Sequence, residues 1–275
     1  MTDRSNAGAL NGAARKPLFA RERDGYRPTL WARGPWDPRY LHGGPSAALL
    51  AHALESEGGD PELFLSRMTL DLFRPVPHDL LHTEARTVRS GNRIKVVDAT
   101  VSCNGTAVAR ASGVFLRRGA GAEWTSNQPR REPLPSWRSI TEWNPLGRDG
   151  EPLELFHRAV EMRMLSKPHG GESMTAWVRT PFEFLPGVPL SAFQRVAAVS
   201  DFVNAMGMMS RAPRGSFINS DLSLYLFREV EGEWVCMECV GRGDQAGVAT
   251  SNVNLHDERG LIGSVAACCV ENEMK

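Results

Sequence analysis

Between residues 47 and 54 one polar side chain, His52, stands among Ala47, Ala48, Leu49, Leu50, Ala51, Ala53 and Leu54. A helix apolar on nearly every side belongs inside a fold, not on its surface. His42-Gly43-Gly44-Pro45-Ser46 opens it. The proline suits a first helical turn, and the glycines let another group approach the backbone closely. Glu57-Gly58-Gly59-Asp60-Pro61 ends it. The period then changes from helical to two. Met68, Leu70 and Leu72 alternate with Arg67, Thr69 and Asp71, which predicts a half-buried strand ending at Pro75-Val76-Pro77. Strands follow over 80–88 and 93–103, the second with a phase slip at Val96-Val97 that signals a bulge. Asn104-Gly105 is a strong hairpin signal, with 106–116 returning antiparallel. Ahead of the helix, 26–36 reads as a short first strand closed by Gly34-Pro35.

The pattern then comes round again. Residues 119–152, rich in Pro, Arg, Gly and Trp without a period, read as a linker over the surface. Beyond it 155–165 and 174–181 read as strands. Pro189-Leu190-Ser191 opens a second long helix with Phe193, Val196, Ala197, Val199, Phe202, Val203 and Met206 at helical spacing. Strands over 222–228, 234–240, 248–255 and 261–270 complete a second meander. One stretch repeats directly: Leu70-Asp71-Leu72-Phe73-Arg74-x-Val76 returns 154 residues later as Leu224-Tyr225-Leu226-Phe227-Arg228-x-Val230. Two copies of one α+β unit follow, over 18–118 and 153–275, with 1–17 a disordered tail rich in small and polar residues.

Composition excludes some functions. Of 275 residues 41% are hydrophobic and 23% charged, and the formal net charge is zero. These values exclude general disorder and argue against a nucleic-acid or membrane-surface partner. No apolar run approaches the roughly 18 residues of a membrane span, and the first residues lack the apolar core of a signal peptide. The expectation is a soluble, cytoplasmic protein. The five cysteines have no framework spacing, which suits a reducing compartment. Cys236 and Cys239 lie three apart on a predicted strand, so they point to opposite faces and cannot hold a metal together. No metal site is expected.

Two places could carry chemistry. The N-terminus of the first helix has free N–H groups and a partial positive charge, and Gly43 and Gly44 leave room there for a ligand oxygen. On the second helix Asp201 sits among Val199, Phe202, Val203 and Met206. Burial raises a carboxylate's pKa towards working pH, as a general base requires. His42 reads as a turn residue, a pocket residue or a catalytic group, and His52 as a core histidine with its polar atoms satisfied.

The motifs go further in their order. Gly34-Pro35-Trp36-Asp37-Pro38, His42-Gly43-Gly44-Pro45, Phe73-Arg74-Pro75-Val76-Pro77, Val199-Ser200-Asp201-Phe202, Asn219-Ser220-Asp221-Leu222 and His256-Asp257-Glu258-Arg259-Gly260 resemble the thioesterase-like superfamily. That superfamily is similar to the type II (TesB-like) acyl-CoA thioesterases. The resemblance covers roughly 25–118 and 153–270. It implies an α+β double hotdog, two tandem units each with a curved antiparallel sheet wrapped around a long helix. It implies hydrolysis of an acyl-CoA thioester without metal or organic cofactor, the acyl group lying in a tunnel between helix and sheet. On that basis Asp201 activates a water and Asn219 positions it, while Trp36, His42, Gly43, Gly44 and Ser220 contact substrate. Related enzymes add a glutamine on the last strand; that place falls on Ala267 or its neighbours, and 261–270 has no glutamine. Related single-unit enzymes carry a carboxylate on the first helix nine residues after the histidine. Here that place is Ala51, so the first unit reads as catalytically degenerate.

Two other functions fit the same fold. The five-residue offset from Asp37 to His42 resembles the hotdog enoyl-CoA hydratases, which makes a hydratase or dehydratase one alternative. An acyl-CoA-binding protein without activity is the other. A double hotdog already mimics a dimer of single units, and further pairing into a homodimer is compatible with it.

Overall fold

The computed structural model describes residues 16–119, 134–141, 152, 154–165, 174–208 and 216–272. Strands β1 (Lys16–Pro17), β2 (Phe19–Glu22) and β3 (Gly25–Pro28) precede helix α1 (Gly43–Gly58). Strands β4 (Leu63–Asp71), β5 (Leu81–Ser90), β6 (Ile94–Cys103) and β7 (Thr106–Arg117) follow it. The second half opens with α2 (Phe156–Ala159), β8 (Glu161–Met164), β9 (Thr175–Arg179), β10 (Phe182–Leu185) and β11 (Val188–Pro189). It continues with α3 (Ala192–Ser200), α4 (Val203–Met208), β12 (Ser216–Asn219), β13 (Asp221–Leu226), β14 (Trp234–Gln245), β15 (Val248–Asp257) and β16 (Gly260–Asn272).

Helix α1 is buried as its composition demands. Ala47, Ala48, Leu49, Leu50, Ala51 and Leu54 have no exposed surface, and Gly59 ends the helix in the left-handed region at φ 56°. His52 is a core histidine: its Nε2 meets the Tyr26 hydroxyl at 3.1 Å and its ring stacks on Phe184. Among the described residues thirteen strands form one sheet, in the order β2-β3-β5-β6-β7-β4-β13-β16-β15-β14-β9-β8, with β12 on β16. The hairpin at Asn104-Gly105 has positive φ at both residues (49° and 75°), the twist a tight β-turn needs. The bulge is present, but its extra residue is Val88 on the facing strand, between the pairs Thr87–Val97 and Arg89–Val96.

The two halves join where β4 pairs antiparallel with β13. In that register Thr69 faces Ser223, the residue 154 positions further on, so a local dyad passes between them and relates the two units. The fold is therefore a double hotdog whose repeat offset could be read from five residues. Helices α1 and α3 pack side by side under the joined sheet.

Four segments differ from the sequence reading. Residues 155–160 are not strand: a turn of helix occupies 156–159, and only 161–164 pair with β9. The first strand stops at Pro28, and Leu30–Ala32 form a 3-10 turn capped by Thr29. The second long helix is broken at Asp201-Phe202, where Phe202 N–H bonds back to Val199 O in a tight turn before α4 begins. Lys16 and Pro17, read as tail, form β1 beside β10; the rest of that tail lies outside the described residues.

Most of the linker also lies outside the described residues, but 134–141 are fastened to the C-terminal half. Trp137 stacks on Trp234 at 4.8 Å, Arg163 lies 5.0 Å from both rings, and Trp177 Nε1 donates to Pro135 O at 2.8 Å. Cys236 belongs to this outer cluster and Cys239 to the main core, so the two thiols do face opposite ways. No helix among the described residues is long and apolar enough to cross a membrane.

Candidate active site

The break between α3 and α4 places Asp201 directly against the N-terminus of α1. Its Oδ2 lies 2.8 Å from His42 Nδ1, and Asn219 Nδ2 donates to both its backbone O and its Oδ1 at 2.8 Å. His42 Nδ1 is also 3.1 Å from Gly44 N. One ring nitrogen cannot accept from Gly44 and donate to Asp201 with the same orbital. Two acceptors facing at 2.8 Å would repel, so the proton belongs on Nδ1 and the Gly44 N–H is directed to the carboxylate. Asp201 thus receives three donors at the positive end of a sixteen-residue helix.

Burial, the largest single influence, pushes the Asp201 carboxyl up. The charge and hydrogen bond of His42, with the bonds from Asn219 and Gly44, outweigh it and hold the group below the ordinary carboxylate range. The sequence expectation of a raised pKa is therefore reversed, because periodicity reports burial but not donors. Asp201 is an ionised anchor in this setting and a weak base.

The glycines serve a different end from the one expected. A Cβ on Gly43 would lie 2.4 Å from Asp201 Oδ1, and one on Gly44 would lie 2.4 Å from Ala198 O and 2.7 Å from the Phe156 ring. The oxygen seated on the helix N-terminus is the protein's own, and Gly44 is needed for α1 to touch α3. Neither glycine leaves an open seat for a ligand oxygen.

Asn219 is fully committed as well. Both Nδ2 hydrogens go to residue 201, and its Oδ1 accepts from the Cys269 thiol at 3.4 Å. It positions the carboxylate, and no donor remains for a water. Cys269, two residues past Ala267 on the same strand face, is the last-strand group that bonds Asn219; burial raises its pKa to about 11, so it stays a thiol. Ser220 is excluded from the site: strand alternation turns it outward, and its hydroxyl donates to Cys268 O at 3.0 Å.

A cleft of about 700 Å³ opens over this cluster between the two halves. Trp36, His42, Gly43, Asp201 and Asn219 line it, together with Phe73, Val76, Phe202 and Phe217. His157 lines it too, its ring parallel to that of His42 at 6.2 Å, and Phe156 packs beneath His42 at 4.9 Å. Sequence reading missed both, since four helical residues leave no periodic trace. Between α1 and the sheet no space opens at Ala47, Ala48 or Ala51, which have no exposed surface. Asp37 pairs with Arg39 at 2.6 Å, so the spacing that resembled a hydratase does not supply the partner of His42.

A second cleft, of about 350 Å³, is the dyad mate of the first. Positions 76, 217, 218, 219 and 272 of the larger cleft correspond, at the same offset of 154, to Val230, Leu63, Phe64, Leu65 and Arg118 of the smaller. A carboxylate again meets the start of the opposite helix: Glu55 accepts from Ser191 Oγ at 2.9 Å and Gln194 Nε2 at 2.7 Å. Leu65 replaces Asn219, Phe115 replaces Cys269, and the helix cap is Ser191, not histidine. This cleft has no imidazole to move a proton.

Comparison with known proteins agrees with this architecture. Residues 32–116 match the acyl-CoA thioesterase N-terminal domain and 126–267 the acyl-CoA thioesterase C-terminal domain. The chain belongs to the acyl-CoA thioesterase family. A search of curated proteins found no match. Among solved structures, a provisionally named thioesterase from Novosphingobium aromaticivorans is 22% identical, with 93% of this chain and 99% of that one covered at a TM-score of 0.72. A hot dog fold protein from Alicyclobacillus acidocaldarius is 15% identical over 92% and 95%, with a TM-score of 0.69. An acyl-CoA thioesterase II from Mycobacterium marinum is 14% identical over 92% and 93%, at 0.63. At these identities the likeness concerns the fold, and the residues of the cleft carry the chemistry.

Proposed function

We propose that the chain hydrolyses an acyl-CoA thioester in the larger cleft, using a water activated by the Asp201–His42 pair. The 2.8 Å contact between Asp201 Oδ2 and His42 Nδ1, at the floor of an open cleft in a chain of this family, carries the reading. Asp201 fixes the proton on Nδ1, leaving the Nε2 lone pair as acceptor; Nε2 has no hydrogen bond among the described residues. Water attacks the thioester carbonyl carbon as its proton passes to Nε2, and Asp201 steadies the imidazolium that forms. The tetrahedral intermediate then expels CoA thiolate, which takes the proton back from His42. This assigns the base to His42, with Asp201 and Asn219 as its orienting groups, because three donors already occupy the carboxylate. No metal or organic cofactor enters the scheme. Five free thiols suit a cytoplasmic setting.

The test is CoA release from saturated acyl-CoAs, quantified by chromatography because the protein's own cysteines would react with a thiol dye. His42→Ala and Asp201→Asn should each lower kcat by about 100-fold or more. Turnover that survives both substitutions refutes the pair. Hydration of an enoyl-CoA without hydrolysis of its saturated counterpart would put a hydratase in its place, and binding without either reaction would leave a carrier.

A further inference from the structure

We infer that the acyl group taken by this cleft is compact and ring-bearing, such as an arylacyl group, and that Trp36 and Phe73 hold it at the rim. The inference rests on the acyl-CoA reading above and adds the substrate class. Its first support is the composition of the walls. Trp36, Tyr40, Phe73, His157, Phe202 and Phe217 all face the cleft, so flat surfaces make up about half of its apolar wall, beside aliphatic side chains such as Leu41, Leu72, Val76 and Ile218. Rings offer a flat ligand both stacked and edge contacts, and a planar group loses little freedom on binding.

Exposure of the rim is the second support. Trp36 is 50% exposed and Phe73 49%, an unusual state for two large aromatic side chains that share one opening. Apolar surface of this kind is left uncovered where a ligand is to cover it. The third support is the closed interior. Beside α1, Ala47, Ala48 and Ala51 have no exposed surface, so no channel leads from the cleft along that face of the helix. Phe202 is 2% exposed and stacks on Phe156, which closes the floor beyond His42. The acyl group must therefore end within the cleft.

The experiment compares kcat/KM of the full chain for phenylacetyl-, benzoyl-, octanoyl- and palmitoyl-CoA. Phenylacetyl-CoA should exceed palmitoyl-CoA by about tenfold or more, the effect of one or two ring contacts. Trp36→Ala and Phe73→Ala, both at half-exposed positions, should lower the phenylacetyl-to-octanoyl ratio by about fivefold. A kcat/KM that climbs with linear chain length to palmitoyl-CoA overturns the inference, as does a ratio unmoved by both substitutions. If nothing is hydrolysed, calorimetric titration with the same four thioesters decides. Tighter binding of phenylacetyl-CoA than of palmitoyl-CoA keeps the inference while the hydrolase reading falls, and the reverse order removes the inference too.

Discussion

Gly43→Ala is a one-methyl probe of the site, because the added carbon points at the Asp201 carboxylate. It would stand 2.4 Å from Oδ1 and 2.6 Å from both Cγ and Oδ2, where real contacts begin beyond 3.0 Å. The carboxylate must retreat by up to about 1 Å, and a displacement of that size in a catalytic group costs about 100-fold in rate. It cannot retreat freely. His42 Nδ1, Asn219 Nδ2 and the Gly44 N–H hold it, and each bond to an ionised partner contributes about 1.5–3 kcal/mol. Partial loss of these bonds should lower stability by about 2 kcal/mol as kcat falls about 100-fold. The assay is chromatographic CoA release alongside urea unfolding. Gly44→Ala is the contrast: its methyl meets Ala198 O and the Phe156 ring, so it should act mainly on stability through the helix contact. Gly43→Ala protein with kcat within threefold of wild type would refute the claim that Asp201 must sit against the helix N-terminus.

Other expectations follow from the same contacts. Asn219→Leu, which copies Leu65 of the mate cleft, removes both bonds to residue 201 and should lower kcat by about 30-fold or more while the chain stays folded; activity near wild type would show that the carboxylate is held without it. Asp201 and Glu55 should have opposite pH signatures in thermal unfolding. The Asp201 carboxyl is held low, so its stabilisation is full above its unfolded pKa of 3.8 and fades as pH falls through the lower folded value. Burial raises the Glu55 carboxyl, against the bonds from Ser191 and Gln194, so its charged form costs stability as pH rises past 4.5. Glu55→Gln should thus become relatively more favourable with rising pH, and Asp201→Asn less; parallel trends would contradict the assignments.

The elements that sequence conveyed well are those whose signal is periodic. α1 announced its burial through Ala47–Leu54, the meanders through alternation, and the duplication through the LxLFR copies that prove to lie across the dyad. The site conveyed itself only in part. Asp201 stood out as a carboxylate among apolar neighbours, and His42 as the residue before two glycines, but their contact bridges 159 positions and exists because α3 ends beside the start of α1. Asn219 was visible as a residue type, and its role depends on which atoms its amide meets. The glycines showed that space was needed without showing what fills it. Phe156 and His157 were hidden in a turn too short to have a period.

The two helices brace each other reciprocally, Asp201 on the start of α1 and Glu55 on the start of α3. A dimer of identical units would have to keep both braces chemically equal. In one continuous chain they can diverge, and here they have: one anchors an imidazole in an aromatic cleft, and the other closes a hydroxyl and an amide against an apolar wall. The second brace carries load without constraining chemistry. The cleft above Asp201 is therefore the more evolvable half of the molecule, free to change what it admits while the far end of the helix pair keeps the two units in register.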